Sequence, residues 1–511
     1  MTDAPDTGFT LDRRAFLTAA AAGLGGVALA ACTRSPSPRA PTPVNGNAVS
    51  VAEAARPHTG RTVDVAVSPQ ATDVDLGGVQ VRTLAYGNTI PGPVIRANVG
   101  DDVVVTLTNG LDHDTSVHWH GIALRNDMDG VEPASPNIGP GQQFTYRFSV
   151  PHSGTYWAHP HVGLDTDYGL YLPVIVDDPN EPGDYDAEWI VVLDDWTDGI
   201  GPGPEQIFAK LQSDGMGSMG GSGGMGNMPG MGAMGHGSAR SSALLGADGG
   251  DVEYPYYLIN GRIPSAATTF TAIPGQRVRI RIINAGADTA FRIALAEHTM
   301  TVTHADGYPV APVDVDALLL GMGERYDVIV TVKDGLFPLV AAAEGKNAQA
   351  RALLRTGAGA VPDSAFVPRE FSGRVGTVDT FVVADSVLLP PGRPQVNLAA
   401  NLGASMMDYN WTINGRPYDQ AEPLTVRQGQ RARLTFTNMT MMWHPMHLHG
   451  HTFQVVKPDG AAGPRKDTVM VLPMRSLAVD LIADNPGDWM LHCHNGYHQE
   501  SGMMTRLEYA G

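Results

Sequence analysis

The feature of this sequence that most constrains its fold is one phrase that occurs three times. It reads VGDDVVVTLTN at residues 99–109, PGQRVRIRIIN at 274–284 and QGQRARLTFTN at 428–438. Each copy begins with a glycine turn, continues with alternating apolar and polar residues, and ends at an asparagine. Alternation with a period of two predicts a β-strand with one buried face. Three copies therefore indicate three related β domains.

The spacing of the copies sets the size of each domain. Successive copies begin 175 and 154 residues apart, far more than the roughly 20 to 50 residues of a solenoid repeat. Such a distance matches a whole sandwich of Greek-key strands. The 60 glycines and 38 prolines also favour a turn-rich chain over a helical one. We predict an all-β protein with domains at residues 53–178, 185–360 and 375–511.

Residues 1–31 have the features of an export signal. Arg13 and Arg14 precede an apolar run that is too short and too rich in glycine for a comfortable membrane-spanning helix, and the segment resembles a twin-arginine signal. Leu29-Ala-Ala-Cys32 resembles a bacterial lipobox, although a chance cysteine in a cleaved leader is the alternative. We expect a cell-envelope lipoprotein on the outer side of the cytoplasmic membrane, at the periplasm or cell surface. Its only membrane contact would be a lipid on Cys32, with residues 32–52 as the tether.

The net charge narrows the class of partner. The chain carries a formal charge of -19 at pH 7, which argues against a nucleic-acid partner and favours attraction of cations. Solubility alone also explains an acidic balance, so the charge does not identify a ligand.

Residues 213–237 form a segment rich in glycine and methionine. Glycine at this density does not build a core, so the segment is predicted to be a mobile loop with its methionines in water. Thioethers are soft ligands that select cuprous ion, and the segment is a candidate for collecting it. A low-complexity linker is the alternative. The methionines are Met216, Met219, Met225, Met228, Met231 and Met234.

Histidines occur in pairs separated by one residue far more often than chance allows. Seventeen histidines in 511 residues would give about 0.6 such pairs if positions were independent, whereas five are present. Residues two apart on a strand share a face, so each pair presents two imidazoles to one metal site. Copper, zinc, iron and nickel all suit imidazole. The pairs are His118/His120, His159/His161, His447/His449, His449/His451 and His492/His494.

The stretch HCHNGYHQESGM, residues 492–503, narrows the choice of metal. On one strand Cys493 points away from His492 and His494, so two sites share that strand. If Cys32 is acylated, Cys493 has no disulfide partner. Metal ligation is one reason for a single thiol in an oxidising compartment. A thiolate with His498, a distant histidine and a weak axial Met503 is the ligand set of blue copper.

Four motifs, taken in order, resemble the copper signatures of three-domain multicopper oxidases. They are His118-Trp-His-Gly121, Trp157-Ala-His-Pro-His161, His444-Pro-Met-His-Leu-His-Gly450 and His492-Cys-His with His498 and Met503. The chain is most similar to the bacterial laccase-like, copper-resistance branch with export signals and Met-rich inserts. The resemblance implies three cupredoxin-like Greek-key β-sandwich domains that bind four copper ions.

The resemblance also implies a role for each ligand. Type 1 copper would be held by His444, Cys493, His498 and Met503, and type 2 copper by His118 and His447. The two type 3 coppers would be held by His120, His159 and His494, and by His161, His449 and His492. Four cluster ligands come from the first domain and four from the last, so the three-copper cluster is expected at their interface.

The internal repeats support this division independently. A shift of 333 residues pairs His159 with His492, while Pro160 falls opposite Cys493. The first domain therefore has cluster ligands and no type 1 site. A shift of 153 residues places Phe291 opposite His444.

The same shift gives the second domain no ligands, because Ala294 and Ala296 stand where the third domain has His447 and His449. The second domain is predicted to be a spacer. His298 aligns with His451, and both are predicted to be structural.

The resemblance implies one-electron oxidation of a substrate at type 1 copper, coupled to four-electron reduction of dioxygen to water at the cluster. Asp129, nine residues after His120, matches the acidic residue that the family uses near the cluster. A turn aspartate before Gly130 is the alternative. After His498, where copper-oxidising relatives often have an acid, this chain has Gln499 and then Glu500. The second proton relay is therefore not identified.

The reducing substrate is the least constrained part of the function. Cuprous ion, ferrous ion and phenols are all expected to reach a type 1 site through exposed histidine edges. Met441 and Met442 precede His444 without the acid found in copper-oxidising relatives, and core methionines are an equal alternative. We favour a cuprous oxidase that also oxidises small phenols and serves copper detoxification. A laccase without a copper role and a copper-sequestering surface lipoprotein are the alternatives.

Overall fold

The computed structural model describes residues 46–181, 184–215, 241–405 and 408–510. The export signal, Cys32, most of the tether and Met216 to Met234 lie outside these ranges. Within them, no helix is long and apolar enough to span a bilayer. The strands there form seven sheets, so the predicted all-β class is confirmed. Short 3₁₀ helices lie at Asn126–Met128, Pro264–Ala266, Arg369–Ser372, Val378–Thr380, Asp385–Val387 and Tyr418–Gln420.

The first group of strands follows helix α1 (Gly46–Ala54). Strands β1, β5 and β7 form one sheet, β4, β9, β8 and β6 form a second, and β2 and β3 form a hairpin. Val103, Val105 and Leu107 of β5 lie in the core of this group. The strands are β1 (Thr62–Val67), β2 (Pro69–Asp75), β3 (Gln80–Tyr86), β4 (Ile95–Asn98), β5 (Asp102–Thr108), β6 (His118–His120), β7 (Gln143–Ser149), β8 (Gly154–His159) and β9 (Leu172–Asp177).

The second group contains helix α2 (Pro204–Asp214) and two six-stranded sheets. One sheet has the order β11-β10-β13-β18-β15-β16 and the other β12-β20-β19-β14-β17-β21. The strands are β10 (Ala187–Trp196), β11 (Tyr256–Ile259), β12 (Thr269–Thr271), β13 (Arg277–Asn284), β14 (Phe291–Leu295), β15 (Met300–Ala305), β16 (Tyr308–Val315), β17 (Ala317–Leu320), β18 (Arg325–Thr331), β19 (Leu336–Ala343), β20 (Ala348–Arg355) and β21 (Val375–Gly376).

The third group contains a six-stranded sheet, a five-stranded sheet and the short helix α3 (Gly496–Glu500). The sheets have the orders β23-β22-β25-β30-β27-β28 and β24-β32-β31-β26-β29. The strands are β22 (Val396–Ala404), β23 (Trp411–Ile413), β24 (Leu424–Val426), β25 (Arg431–Asn438), β26 (His444–Leu448), β27 (Phe453–Val456), β28 (Ala462–Lys466), β29 (Thr468–Val471), β30 (Ser476–Ile482), β31 (Asp488–Cys493) and β32 (Met504–Tyr509).

The three repeated phrases occupy the same place in each group. Strands β5, β13 and β25 pair in parallel with β1, β10 and β22, respectively. They also pair antiparallel with β7, β18 and β30. The next strands along the chain, β6, β14 and β26, lie in the other sheet of each group. Strand β14 is thus the counterpart of two histidine-bearing strands and carries no histidine.

Helix α2 changes the predicted extent of the methionine-rich segment. Ser213 and Asp214, the first two residues of the predicted loop, form the last turn of this helix. Ile207, Phe208 and Leu211 pack against a hydrophobic core that the second and third groups of strands share. Because this apolar face is anchored, the helix continues to Asp214 before the glycine-rich sequence begins.

Candidate metal centre

Strand β31 presents Cys493 to a set of donor atoms on one of its faces. Cys493 Sγ lies 3.7 Å from His444 Nδ1 and 3.6 Å from His498 Nδ1, and the two nitrogens are 3.1 Å apart. All three side chains are fully buried, and so is Met503. The Cys493 N–H donates to the Met503 carbonyl at 3.0 Å. Three donor atoms therefore converge, as expected for the ligands of one ion.

Hydrogen bonds on the far side of each imidazole orient both histidines. Thr440 Oγ1 lies 2.8 Å from His444 Nε2, and Asp251 Oδ2 lies 3.0 Å from His498 Nε2. The Trp411 ring stacks on His498 with 3.9 Å between ring centroids. Because the Asp251 carboxylate accepts from Nε2–H, the Nδ1 lone pair of His498 faces Cys493.

The prediction that histidine edges of this site are exposed is wrong. His444 and His498 have no exposed surface, because both rings are packed among their hydrogen-bond partners and Trp411. Burial also raises the pKa of the Cys493 thiol, so its thiolate needs a bound cation. An electron donor in solvent therefore cannot contact either histidine directly, and its electron has to pass through the residues that cover the site.

The opposite face of β31 belongs to a cluster of eight histidines. His492 Nε2 lies 3.3 Å from His161 Nε2 and 3.1 Å from His449 Nε2. The sulfur of Cys493 and the imidazole of His492 thus point to different sites, as the sequence predicts.

The other five histidines form two further groups that share His120, each with its ligand atoms within 4.8 Å of one another. His118 Nε2 lies 3.3 Å from His447 Nε2 in one group. His494 Nε2 lies 3.2 Å from His120 Nδ1 in the other, which also contains His159. The structure therefore brings together every histidine predicted for the cluster, four from the first group of strands and four from the third.

Only one of the histidine pairs lies wholly within a strand. His118 and His120 are the two ends of β6, whereas His161, His449 and His494 lie just beyond the ends of β8, β26 and β31. The rule that residues two apart share a strand face therefore applies only to the first pair. In the other pairs the chain leaves the sheet at or before the second histidine, so the position of that imidazole depends on the conformation of the residues after the strand.

Six of the eight cluster imidazoles are held in the neutral form that binds metals. Burial and, to a smaller extent, the neighbouring histidines lower their pKa values well below the ordinary value. His159 Nε2 is buried without a hydrogen-bond partner among the described residues, a position that a metal ion would satisfy. The donor set fits metal ions, and the Cys493 site fits copper. The imidazoles concerned are those of His120, His159, His161, His449, His492 and His494.

Asp129 contacts the cluster on the side of His118 and His449. Its Oδ2 lies 2.8 Å from His449 Nδ1, and its carbonyl oxygen lies 3.1 Å from His118 Nδ1. Gly130 follows with φ of 79°, and a Cβ there would lie 1.8 Å from the Val117 carbonyl oxygen. Asp129 therefore precedes a tight turn and also contacts two cluster histidines.

Asp467 holds the cluster on the side of His120 and His447. Its Oδ1 lies 3.2 Å from His120 Nε2 and 3.3 Å from His447 Nδ1. Arg325, at the start of β18, donates to both carboxylate oxygens at 2.7 and 2.6 Å. Burial disfavours the charged carboxylate, but Arg325 outweighs burial and lowers the pKa of Asp467. The second group of strands is therefore more than the predicted spacer, because it supplies a buried cation beside the cluster.

Sequence reasoning misses Asp251, Arg325 and Asp467. Asp467 lies in the polar run Arg465-Lys-Asp-Thr468 between two strands, which is a weak signal for buried charge. Asp251 lies on a loop of the second group, and no pattern in the sequence connects it with His498.

His298 and His451 make structural contacts, as predicted. His451 Nε2 lies 2.6 Å from the Tyr509 hydroxyl, and its Nδ1 lies 3.1 Å from the His449 carbonyl. His298 bonds to two backbone groups at 2.8 and 3.0 Å. Both nitrogens of each ring are therefore occupied.

The two methionines before His444 differ in exposure. Met442 is buried in the core, whereas Met441 is 63% exposed. Beyond His498, Gln499 is half-buried and Glu500 is exposed. Of these methionines, only Met441 is available to an ion in solvent.

Comparison with known proteins identifies the family. Profiles described as multicopper oxidase match residues 69–181, 188–359 and 390–510. The multicopper oxidase MmcO of Mycobacterium tuberculosis is 61% identical over 497 residues, which cover 97% of this chain and 96% of that protein. The chain belongs to the multicopper oxidase family.

Other relatives match the oxidase over most of its length. Copper resistance protein A of Escherichia coli is 29% identical, over 88% of this chain and 92% of that protein. The structure of a laccase from Botrytis aclada superposes with a TM-score of 0.71 at 24% identity, over 90% of this chain and 89% of that one. The oxidase is an oxidoreductase, and copper is the metal that its family implies.

Proposed function

We propose that the oxidase couples one-electron oxidation of cuprous ion and small phenols to reduction of dioxygen to water, and that it serves copper detoxification. The observation that carries this proposal is the end of strand β31, where Cys493 lies in the chain between His492 and His494 of the eight-histidine cluster. The relatives named copper resistance protein A and laccase support both substrate classes. Bound copper would supply the redox chemistry, one electron from each substrate and four for each dioxygen.

We propose four copper ions, held as the resemblance implies. His444, Cys493 and His498, with Met503 as axial ligand, would hold one ion. The cluster would hold three, through His118 and His447, through His120, His159 and His494, and through His161, His449 and His492. A copper determination on the purified, loaded protein should give four ions per chain, and a value of one would contradict the proposal.

The protein's own residues prepare both sites. Cys493 is bonded through the backbone to His492 and His494, which provides a covalent path of roughly 10 to 15 Å between the sites. Burial keeps water from Cys493, and Asp251 and Thr440 fix the rings beside it, so little rearrangement accompanies a change in charge. Asp129 is positioned to exchange protons at the cluster through the histidines it contacts.

Oxygen consumption distinguishes this function from its alternatives. We would compare the full chain with a chain that lacks residues 216–237, which leaves helix α2 intact, and with a chain in which the six methionines of that segment are replaced by serine. Slower turnover of cuprous ion with unchanged turnover of a phenol in both variants is expected, because only the thioethers select cuprous ion. Unchanged turnover of both substrates supports a general laccase. No turnover by any chain supports copper sequestration.

We further propose that the protein is exported through the twin-arginine route and anchored by a lipid on Cys32. The paired arginines and the Leu29-Ala-Ala-Cys32 sequence support this proposal. Replacing Arg13 and Arg14 by lysine should retain the protein in the cytoplasm, and Cys32→Ser should release it from the membrane fraction. Membrane association of the Cys32→Ser protein would contradict the anchor.

A further inference from the structure

A small cavity adjoins the histidine cluster on the side of His159 and His494. Asp129 contacts other members of the cluster, His118 and His449. The cavity has a volume of about 30 Å³, enough for one or two water molecules. Its lining includes His159, His494, Thr166, Asp167, Gly496 and Gln499.

Asp167 is the only carboxylate that the described part of the chain contributes to the wall of this cavity. The residue is 3% exposed. Its Oδ2 accepts a hydrogen bond from the Tyr497 hydroxyl at 2.6 Å, and the Tyr254 hydroxyl lies 3.4 Å from the same oxygen. Its Oδ1 is buried without a hydrogen-bond partner among the described residues. Because Oδ2 is occupied, Oδ1 is the oxygen left to contact water in the cavity.

The surroundings of Asp167 favour a protonated carboxyl group. Burial, followed by the nearby Asp195 carboxylate, raises the pKa of Asp167 well above its ordinary value. No ion pair joins Asp167 to a cation within the described ranges, and Lys346 bonds to Asp288 instead. A neutral carboxyl group at the cavity can donate a proton and take one up. The titratable groups that face it are Tyr171, Tyr254, Tyr497, Asp194, Asp195 and Asp288.

We infer that Asp167 is a proton-relay residue that passes protons from solvent through this cavity to the His159 and His494 side of the cluster. The inference rests on the proposed function, because one dioxygen consumes four electrons and four protons to give two waters. The electrons come from the reducing substrate and the protons from solvent. Asp167 releases its proton to cavity water and takes another from solvent, so it is unchanged after each transfer.

The cavity has a route to solvent that suits this role. Gln499 and Gly496 in its wall are half-buried, and Gly163, also in the wall, is exposed. Protons can therefore enter beside α3, at a point separate from Asp129. Asp129 would serve the side of the cluster at His118 and His449, and Asp167 the side at His159 and His494.

The test compares Asp167→Asn with the unchanged copper-loaded oxidase. Asparagine keeps the shape of the side chain and removes the exchangeable acid. We expect oxygen uptake at saturating substrate to fall about a hundredfold, with a changed pH profile and a larger solvent isotope effect. Copper content and the rate at which substrate bleaches the blue absorption without oxygen should not change. Asp167→Glu should recover part of the rate.

Asp194→Asn is the matched control. Asp194 is also a buried acid with a raised pKa, bonded to the Tyr171 hydroxyl at 2.6 Å, but it does not line the cavity. This variant should keep the rate of oxygen uptake and the original solvent isotope effect, because Asp194 does not contact the cavity. An Asp167→Asn protein with full copper, unchanged rate and unchanged pH profile would overturn the relay. If the unchanged oxidase consumes no oxygen with any reductant, the proposed function fails instead.

A measurement without copper covers the case in which Asp167→Asn does not fold. Infrared spectra of the copper-free oxidase should show protonated carboxyl groups at pH 7, one of which shifts in Tyr497→Phe because Tyr497 donates to Asp167. If no carboxyl band responds to Tyr497→Phe at that pH, Asp167 is ionised and the relay is overturned.

Discussion

A substitution at Cys493 tests one site without the other. Cys493 belongs to the site of His444 and His498, whereas His492 and His494 on either side of it belong to the histidine cluster. We predict that Cys493→Ser removes the blue absorption and about one of the four proposed copper ions, since serine does not replace a soft thiolate. Substrate oxidation should stop, while the cluster retains its metal. Copper analysis and optical spectra check the prediction, and a blue Cys493→Ser protein would contradict it.

Asp129 offers a second test at a single residue. Asp129→Asn keeps a similar shape but removes the carboxylate beside His449, and we predict a fall in turnover of about a hundredfold with copper content unchanged. Asp127→Asn is a suitable control, because that side chain is 46% exposed and pairs with Arg125. Equal turnover in the two variants would assign Asp129 to the turn alone.

At the residue scale, the sequence predicts ligands better than it predicts their partners. Histidines and Cys493 are identified by spacing, because His-x-His pairs are rare by chance and strand geometry explains them. Acidic residues number 53 and show no such pattern. Asp167, Asp251 and Asp467 become distinctive only through tertiary contacts.

Among the elements, the turn before β18 packs directly against the cluster. A Cβ on Gly323 would lie 2.8 Å from His120 Cε1 and 2.8 Å from His494 Cδ2, and its φ is 80°. We predict that Gly323→Ala lowers copper loading and destabilises the copper-free protein by about 1–3 kcal/mol. Copper analysis and thermal unfolding measure the two effects.

Gly275→Ala separates crowding from backbone strain. Gly275 has a φ of 87°, and no atom lies within 4 Å of the position that a Cβ would take there. This substitution therefore adds strain without a clash, and it should leave copper loading unchanged. Equal copper loss in the two variants would contradict the role of Gly323 in cluster packing.

The elements show where periodicity is a reliable guide. The repeated phrases form strands because their alternation matches the pleat, and this was predictable. The positions at which β8, β26 and β31 end were not predictable. Beyond the last hydrogen bond of a sheet, tertiary contacts determine the path of the backbone, and periodicity carries no information about them. Helix α2 extends into the methionine-rich segment for the same reason.

For the whole molecule, the buried pair of Arg325 and Asp467 joins the second group of strands to the third. Arg325→Met would leave the Asp467 carboxylate buried without its cation, and we predict a loss of about 3–5 kcal/mol in the unfolding free energy of the copper-free protein. Arg262→Met is the control, because Arg262 is 41% exposed and its pair with Asp75 lies at the surface, where an ion pair contributes little to stability.

The Arg325–Asp467 pair also makes the unfolding free energy depend on pH, and the direction of that dependence can be stated. Arg325 lowers the pKa of Asp467, so the stabilisation is present above the ordinary aspartate pKa and is lost as pH falls through the folded value. The difference in stability between the original protein and Arg325→Met should therefore narrow in acid. Denaturant unfolding at several pH values measures it, and a difference that grows in acid would contradict the assignment.

At this scale, the threefold repeat predicts the architecture, and the division of ligands predicts which groups of strands meet at the cluster. The contribution of the second group was not predictable, because its sequence has no metal ligand at the positions that align with ligands of the third group, and its buried Arg325 belongs to no motif. Only the fold shows that it supplies charge and close packing to the metal centre.

The eight cluster histidines come from two parts of the chain that are far apart in sequence, and this affects when the cluster can be assembled. Four come from residues 118–161 and four from residues 447–494, so a chain still being synthesised offers only four of the eight cluster histidines until its last segment is made. A complete set of cluster ligands therefore requires the chain as far as residue 494. A proteolytic fragment from either end would contain only four of these eight histidines.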